Sequence, residues 1–400
     1  MGKSKFVVGS KTGNSKYTKV FTLDVAKTAQ TFHKGFKAYK ETPLVSLKSL
    51  ADYLGLANIY VKDESYRFGL NAFKVLGGSF GIASCLAEIL NKDVKELSVD
   101  YLNSDEIKNQ LGPITFITAT DGNHGRGIGW TASQLGHQAK VYMPKGTVKR
   151  RVEYIKNLGA EVNVTDLNFD DTARVAFELA RKNKWILTQD TTFDGYVDFP
   201  KWCMQGYTTM VYEIVLALES RDERPTHLFI QAGAGSLAGA VVAFLKNYYG
   251  DRCPKIVVVE AENCACYMES VMADDGCAHS VKGNLETIMA GLSVGETCSI
   301  GWDILNAHAD VFATCANHVA AKGMRMLGAP KGNDRRVISG ESGAVGFGYL
   351  MELLTNYESN DIKEILEFNT ESVVLCISTE GDTDPENYER IVWDGVWTSL

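Results

Sequence analysis

At 400 residues with 45% hydrophobic content, the chain can bury a large core, and its length points to two domains or more. A net charge of −8 with no long basic run argues against nucleic acid or an anionic membrane as the main partner. No apolar run approaches the roughly 18 residues of a spanning helix.

The start, Met1-Gly2-Lys3-Ser4-Lys5-Phe6, has no apolar signal core, and Phe6 stands where myristoylation expects Ser or Thr. Nine cysteines lie at irregular spacings, and Cys264 and Cys266 are too close in sequence for a CxxC site. They read as reduced and mostly buried, in a soluble cytosolic protein without a metal.

Along the chain, apolar runs predict strands at 58–61, 114–118, 140–143, 161–164 and 185–188, then at 227–231, 255–260, 311–314 and 373–378. Helical patterns fall between them at 149–158, 171–182, 204–218 and 237–249. Such alternation predicts α/β units and a largely parallel sheet covered on both faces. Residues 91–110 are charged and weakly periodic, as in a surface insertion between a helix and the next strand.

Ligands bind at the carboxyl ends of parallel strands, and four loops there carry unusual residues. The first runs from Lys62-Asp63-Glu64 to Asn71-Ala72-Phe73-Lys74 and puts Lys74 at the start of an apolar helix. Desolvation and the positive helix end would both free its amine as a nucleophile. The bland alternative is a surface lysine with a snorkelling stem.

The second loop, Thr120-Asp121-Gly122-Asn123-His124-Gly125, opens a helix with small residues whose amides can hold a carboxylate. Asp121 reads either as a plain N-cap or as an acid with a task. The third, Gly233-Ala234-Gly235-Ser236-Leu237-Ala238-Gly239, is a phosphate cradle at a helix start. It also fits the dinucleotide fingerprint, with Glu260 where a ribose-binding acid belongs, so a nicotinamide dehydrogenase stays open on this loop. The fourth pairs Ser339-Gly340-Glu341-Ser342-Gly343-Ala344 with Ser378-Thr379-Glu380-Gly381-Asp382-Thr383-Asp384.

In this order the loops resemble the fold-type II pyridoxal-phosphate enzymes, which include threonine dehydratase, serine racemase and cysteine synthase. Thr42-Pro43-Leu44, the lysine run, the Thr120 to Gly125 loop and Glu341 to Ala344 carry the likeness. Asn71 departs from the usual Ser or Thr. Arg67-Phe68-Gly69-Leu70-Asn71-Ala72-Phe73-Lys74, the run ISGESGAVG and the run ISTEGDTD are similar, more closely, to the diaminopropionate ammonia-lyases within that family.

The resemblance implies two open, twisted, mostly parallel sheets flanked by helices, with the active site between the domains. A large domain would comprise 1–81 and 196–400, and a small one 82–195. It implies pyridoxal phosphate as cofactor, α,β-elimination of 2,3-diaminopropionate as the reaction, and a homodimer. Lys74, Asp121 and Asp190 would be catalytic, with Lys74 and Asp121 taking the α-proton on opposite faces. Gly233, Ala234, Gly235, Ser236 and Leu237 would hold the phosphate, Asn123 the ring oxygen, and Thr379 or Ser378 the pyridine nitrogen, with Glu341 beside them. Thr120, Gly122 and His124 would meet the substrate carboxylate. A serine or threonine dehydratase of the same fold is the alternative enzyme.

Overall fold

The computed structural model describes residues 4–120, 122–355 and 360–398. The chain divides into two compact units. Met1–Leu23, Glu41–Ala72 and Met210–Leu400 form the first, and Asp24–Lys40 with Phe73–Thr209 the second.

The first unit is built on a seven-stranded sheet of order β1-β10-β9-β8-β11-β3-β2. Its five central strands are β3 (Asn58–Asp63), β8 (His227–Gln231), β9 (Lys255–Ala261), β10 (Val311–Cys315) and β11 (Val373–Ser378). They pair in parallel, and nearly every residue in them is buried. Continuous apolar runs such as Val-Val-Leu-Cys-Ile are what a sheet covered on both faces requires. The antiparallel edges, β1 (Lys5–Val8) and β2 (Leu44–Ser46), were not expected. Runs of three or four residues are too short for alternation to register.

The second unit carries a wholly parallel four-stranded sheet, β6-β5-β4-β7. Its strands are β4 (Thr115–Ala119), β5 (Gln138–Met143), β6 (Glu161–Val164) and β7 (Ile186–Leu187). All nine predicted strands and all four predicted helices exist, with boundaries shifted by a few residues. The segment 91–110 does lie between a helix and a strand, as two short helices that bury Val99, Leu102 and Ile107.

The unit boundaries differ from those expected. The helix Val75–Ile89 belongs to the second unit, together with Lys74, rather than with the phosphate loop. Glycines explain the grouping, because they let helices approach closely. A Cβ at Gly127 would stand 2.9 Å from Val75 Cα, and one at Gly77 would stand 2.5 Å from Tyr207. The segment Asp24–Lys40 is held there too, where the buried His33 Nε2 donates to Leu76 O at 3.0 Å.

Candidate active site

In the second unit, Lys74 is the N-cap of the helix Val75–Ile89, which is buried along most of its length. The apolar helix fixes the backbone, while the side chain keeps 28% of its surface exposed. Lys74 Nζ donates to Asp190 Oδ2. Asp190 follows β7, and its predecessor Gln189 is clamped. Gln189 Oε1 accepts from Thr118 Oγ1 and Ala119 N, each at 3.1 Å, and its N donates to the Tyr196 hydroxyl at 2.9 Å.

His124 completes the cluster. Its Nε2 is 2.5 Å from Thr188 O, and a carbonyl only accepts, so Nε2 carries a hydrogen. Its Nδ1 stands 3.6 Å from the same Asp190 oxygen. Burial pushes the Asp190 carboxyl up, but His124 and Lys74 outweigh it and hold that carboxyl well below the usual range. The sequence suggested an amine freed by desolvation. The structure instead pairs it with a carboxylate, which stabilises the ammonium.

The neighbouring loop is shaped by Thr120, whose Oγ1 accepts from Gly122 N at 3.0 Å and Gly125 N at 3.3 Å. Its oxygen is therefore turned to the loop's own amides. A Cβ at Gly125 would lie 2.4 Å from Thr120 Cγ2, so only glycine fits there. Asn123 follows at the helix start, and its Oδ1 accepts from Arg126 at 3.2 Å. Asp121 lies outside the described residues.

In the first unit, Gly233 and Ala234 follow β8, and Gly235 caps the helix Ser236–Tyr249 with φ +86°. A Cβ at Gly235 would fall 1.9 Å from the Tyr267 hydroxyl, so glycine is needed on both counts. Ala234 O accepts from the Tyr267 hydroxyl at 2.9 Å and from Cys298 N at 2.7 Å. These anchors fix the loop at the start of the helix that Ser236 and Leu237 open, where main-chain amides are able to face an anion. Tyr267 gave no signal in the sequence.

Glu260 does not serve a ribose. Its two oxygens accept from Tyr267 N and Met268 N, both at 2.8 Å, capping the helix Cys266–Ala273. Burial pushes this carboxyl up to about 8 against the pull of those amides. The acid that made a dinucleotide reading attractive is thus occupied within the fold.

The fourth pair of loops packs together. Gly340 N donates to Glu380 O at 3.0 Å, and a Cβ at Gly343 would be 3.1 Å from Thr379 N. Asn71, at φ +58°, donates to Asp382 at 3.0 Å, and Gly381 N donates to Asn71 O at 3.1 Å. Glu341 opens the helix Glu341–Thr355 and accepts from Asn387. Burial and the nearby Glu380 push its carboxyl up to about 7. Ser378 is engaged with Ser339 Oγ at 2.8 Å, whereas Thr379 Oγ1 accepts from Gln231 Nε2 at 3.1 Å.

The early motif residues form a sealed charge network that also includes Glu213, from a distant helix. Arg67 donates to both Glu64 oxygens at 2.8 Å and to both Glu213 oxygens at 2.8 and 2.7 Å. Lys62 Nζ reaches Glu213 at 2.6 Å and Thr42 O at 2.8 Å. Burial works against the Arg67 charge, but Glu64 and Glu213 hold its guanidinium well above the usual range. Burial likewise pushes Glu213 up, yet Arg67 and Lys62 bring it down to about 2.

No His, Cys, Asp and Glu group among the described residues is placed to hold a metal ion, and no described helix is long and apolar enough to cross a membrane. Residues 36–369 match the family described as pyridoxal-phosphate dependent enzyme. The diaminopropionate ammonia-lyase of Salmonella typhimurium is 46% identical over 374 residues, 93% of each chain. The chain belongs to the diaminopropionate ammonia-lyase family of pyridoxal-phosphate-dependent enzymes.

Two solved structures of one member of the ammonia-lyase family agree in fold. The crystal structure of holo diaminopropionate ammonia-lyase from Escherichia coli has a TM-score of 0.91 at 43% identity, covering 99% of this chain and 98% of that one. The same enzyme with an aminoacrylate–PLP azomethine reaction intermediate gives 0.90 at 42% identity, with the same coverage. This family membership sets the sequence-derived fold class, two mostly parallel sheets with flanking helices, on firm ground.

Proposed function

We propose that this chain eliminates ammonia from D- and L-2,3-diaminopropionate in a pyridoxal-phosphate-dependent reaction, giving pyruvate and two ammonia with uptake of one water. The observation that carries the reading is the Asp190 carboxylate, held ionised beside the Lys74 amine.

The residues fit the cofactor. The Gly235 cap and its neighbours offer amides to a phosphate at a helix N-terminus, and Lys74 keeps an accessible amine. Ser378 spends its hydroxyl on Ser339, which favours Thr379 as the partner of the pyridine nitrogen. When bound, pyridoxal phosphate supplies the electron sink for the charge left on the α-carbon.

The chain's own groups handle the protons. Lys74 takes the α-proton of the L isomer on one face. Asp121 is the base for the D isomer. Asp190, anionic, keeps the β-nitrogen of the substrate protonated, so that it departs as ammonia rather than as an amide anion. Thr120, Gly122 and His124 shape the carboxylate side, and Asn123 serves the ring oxygen. A homodimer in the cytoplasm, acting on a free amino acid, completes the reading.

The test is pyruvate release from D- and L-diaminopropionate by the purified holoenzyme, with D- and L-serine and L-threonine alongside. Pyruvate from both diaminopropionate isomers, well above the hydroxy amino acids, is expected. No pyruvate from either isomer with cofactor bound overturns the proposal.

A further inference from the structure

Gln231 ends β8, whose three middle residues are apolar, and is buried immediately before the loop Gly233 to Gly239. Its Nε2 lies 3.0 Å from Ile377 O and 3.1 Å from Thr379 Oγ1. A main-chain carbonyl can only accept, so the atom facing Ile377 must be the NH2 end of the amide. The reverse orientation would set the amide oxygen against two main-chain carbonyls, Ile377 O and, at 3.5 Å, Gly343 O.

That NH2 group cannot accept, so Thr379 Oγ1 is the acceptor in their contact. The Thr379 hydroxyl proton is thereby turned away from Gln231. Among the described residues it has no acceptor, although Thr379 is buried. Ser378 differs, because its hydroxyl donates within the protein.

We propose that Gln231 is a positioning residue that locks Thr379 as a hydrogen-bond donor, so that the group Thr379 meets must be an unprotonated ring nitrogen. This rests on the reading that Thr379 faces the pyridine nitrogen of the cofactor. A neutral nitrogen draws less charge from the α-carbon, which favours prompt loss of the β-substituent over reprotonation. The polarity of the site is thus set by an amide that touches neither cofactor nor substrate.

Two readouts independent of turnover test this. The holoenzyme is loaded with cofactor labelled with nitrogen-15 in the ring, and its NMR shift reports ring protonation. Cofactor affinity is measured separately. Wild type should show an unprotonated nitrogen. Gln231→Glu cannot donate to both oxygens, so Thr379 donates to it instead, and the shift should move toward the protonated position.

Gln231→Met and Thr379→Val should each weaken cofactor binding by about two- to tenfold. The double variant should bind no worse than Thr379→Val alone, because Gln231 acts through that hydroxyl. Should the buried acid unfold the Glu variant, this cycle decides alone. Additive losses, or an unchanged nitrogen shift in a folded Gln231→Glu protein, overturn the role of Gln231. Wild-type affinity and shift in Thr379→Val overturn instead the reading of Thr379 on which it rests.

Discussion

Lys62 and Lys74 stand twelve positions apart in sequence, and each pairs with a carboxylate, yet their surroundings are opposite. Lys62 is sealed, with 2% side-chain exposure, in a network where two cations meet two anions and each carboxylate oxygen is bonded. Lys74 is 28% exposed, and its partner Asp190 answers both Lys74 and His124. A matched, dry network has no reason to exchange a proton. An accessible amine beside a carboxylate with a second ring nitrogen at hand can do so. The same two residue types therefore build a sealed corner in one unit and, on the reading proposed above, a reactive one in the other.

Substitutions can break this contrast. Lys74→Ala should lower kcat/KM by about 10²- to 10⁴-fold or more while leaving the unfolding midpoint near that of wild type. Glu213→Gln should do the reverse. It leaves Lys62 and Arg67 undercompensated, and urea unfolding should report a loss of about 3–5 kcal/mol. A stable Glu213→Gln protein would show that the network is not the fixed corner described.

Asp121→Asn sharpens the reactive side. Turnover of the D isomer should fall about tenfold or more beyond that of the L isomer. Equal losses would place Asp121 on the leaving group instead.

Acid and base titration separates the sites further. Glu213 is depressed to about 2, so its stabilisation is present above the ordinary carboxylate range and is lost as pH falls through about 2. Glu341 is raised to about 7, so the folded state binds the extra proton and stability declines as pH rises from about 4.3 to 7. Glu341→Gln should flatten that decline, the smallest of these effects. An unchanged slope of unfolding free energy between pH 5 and 7 would contradict it.

The strands and the four loops were legible because buried parallel strands are continuous apolar runs and loop glycines cluster at their ends. The glycine loop at a helix start could be read from Gly233 to Gly239 alone, but not that Glu260 is occupied, since its capping role depends on a helix that begins at Cys266. Glu213 could not be linked to Lys62 and Arg67, because nothing local marks one glutamate on a long helix as a partner some 150 positions away. Gln231 carried no signal of its own, since His227 at the other end of the same strand is also polar and buried. The pairing of Lys74 with Asp190 reversed the expected electrostatics of the lysine, because helix-end arguments see only the sequence neighbourhood.

The contrast between the two lysines is tested most directly by reducing the cofactor-loaded enzyme with borohydride and locating the phosphopyridoxyl group by peptide mass. The label should sit on Lys74 alone, with Lys62 unmodified. Label on Lys62 or on another lysine, or none on Lys74, would contradict the account.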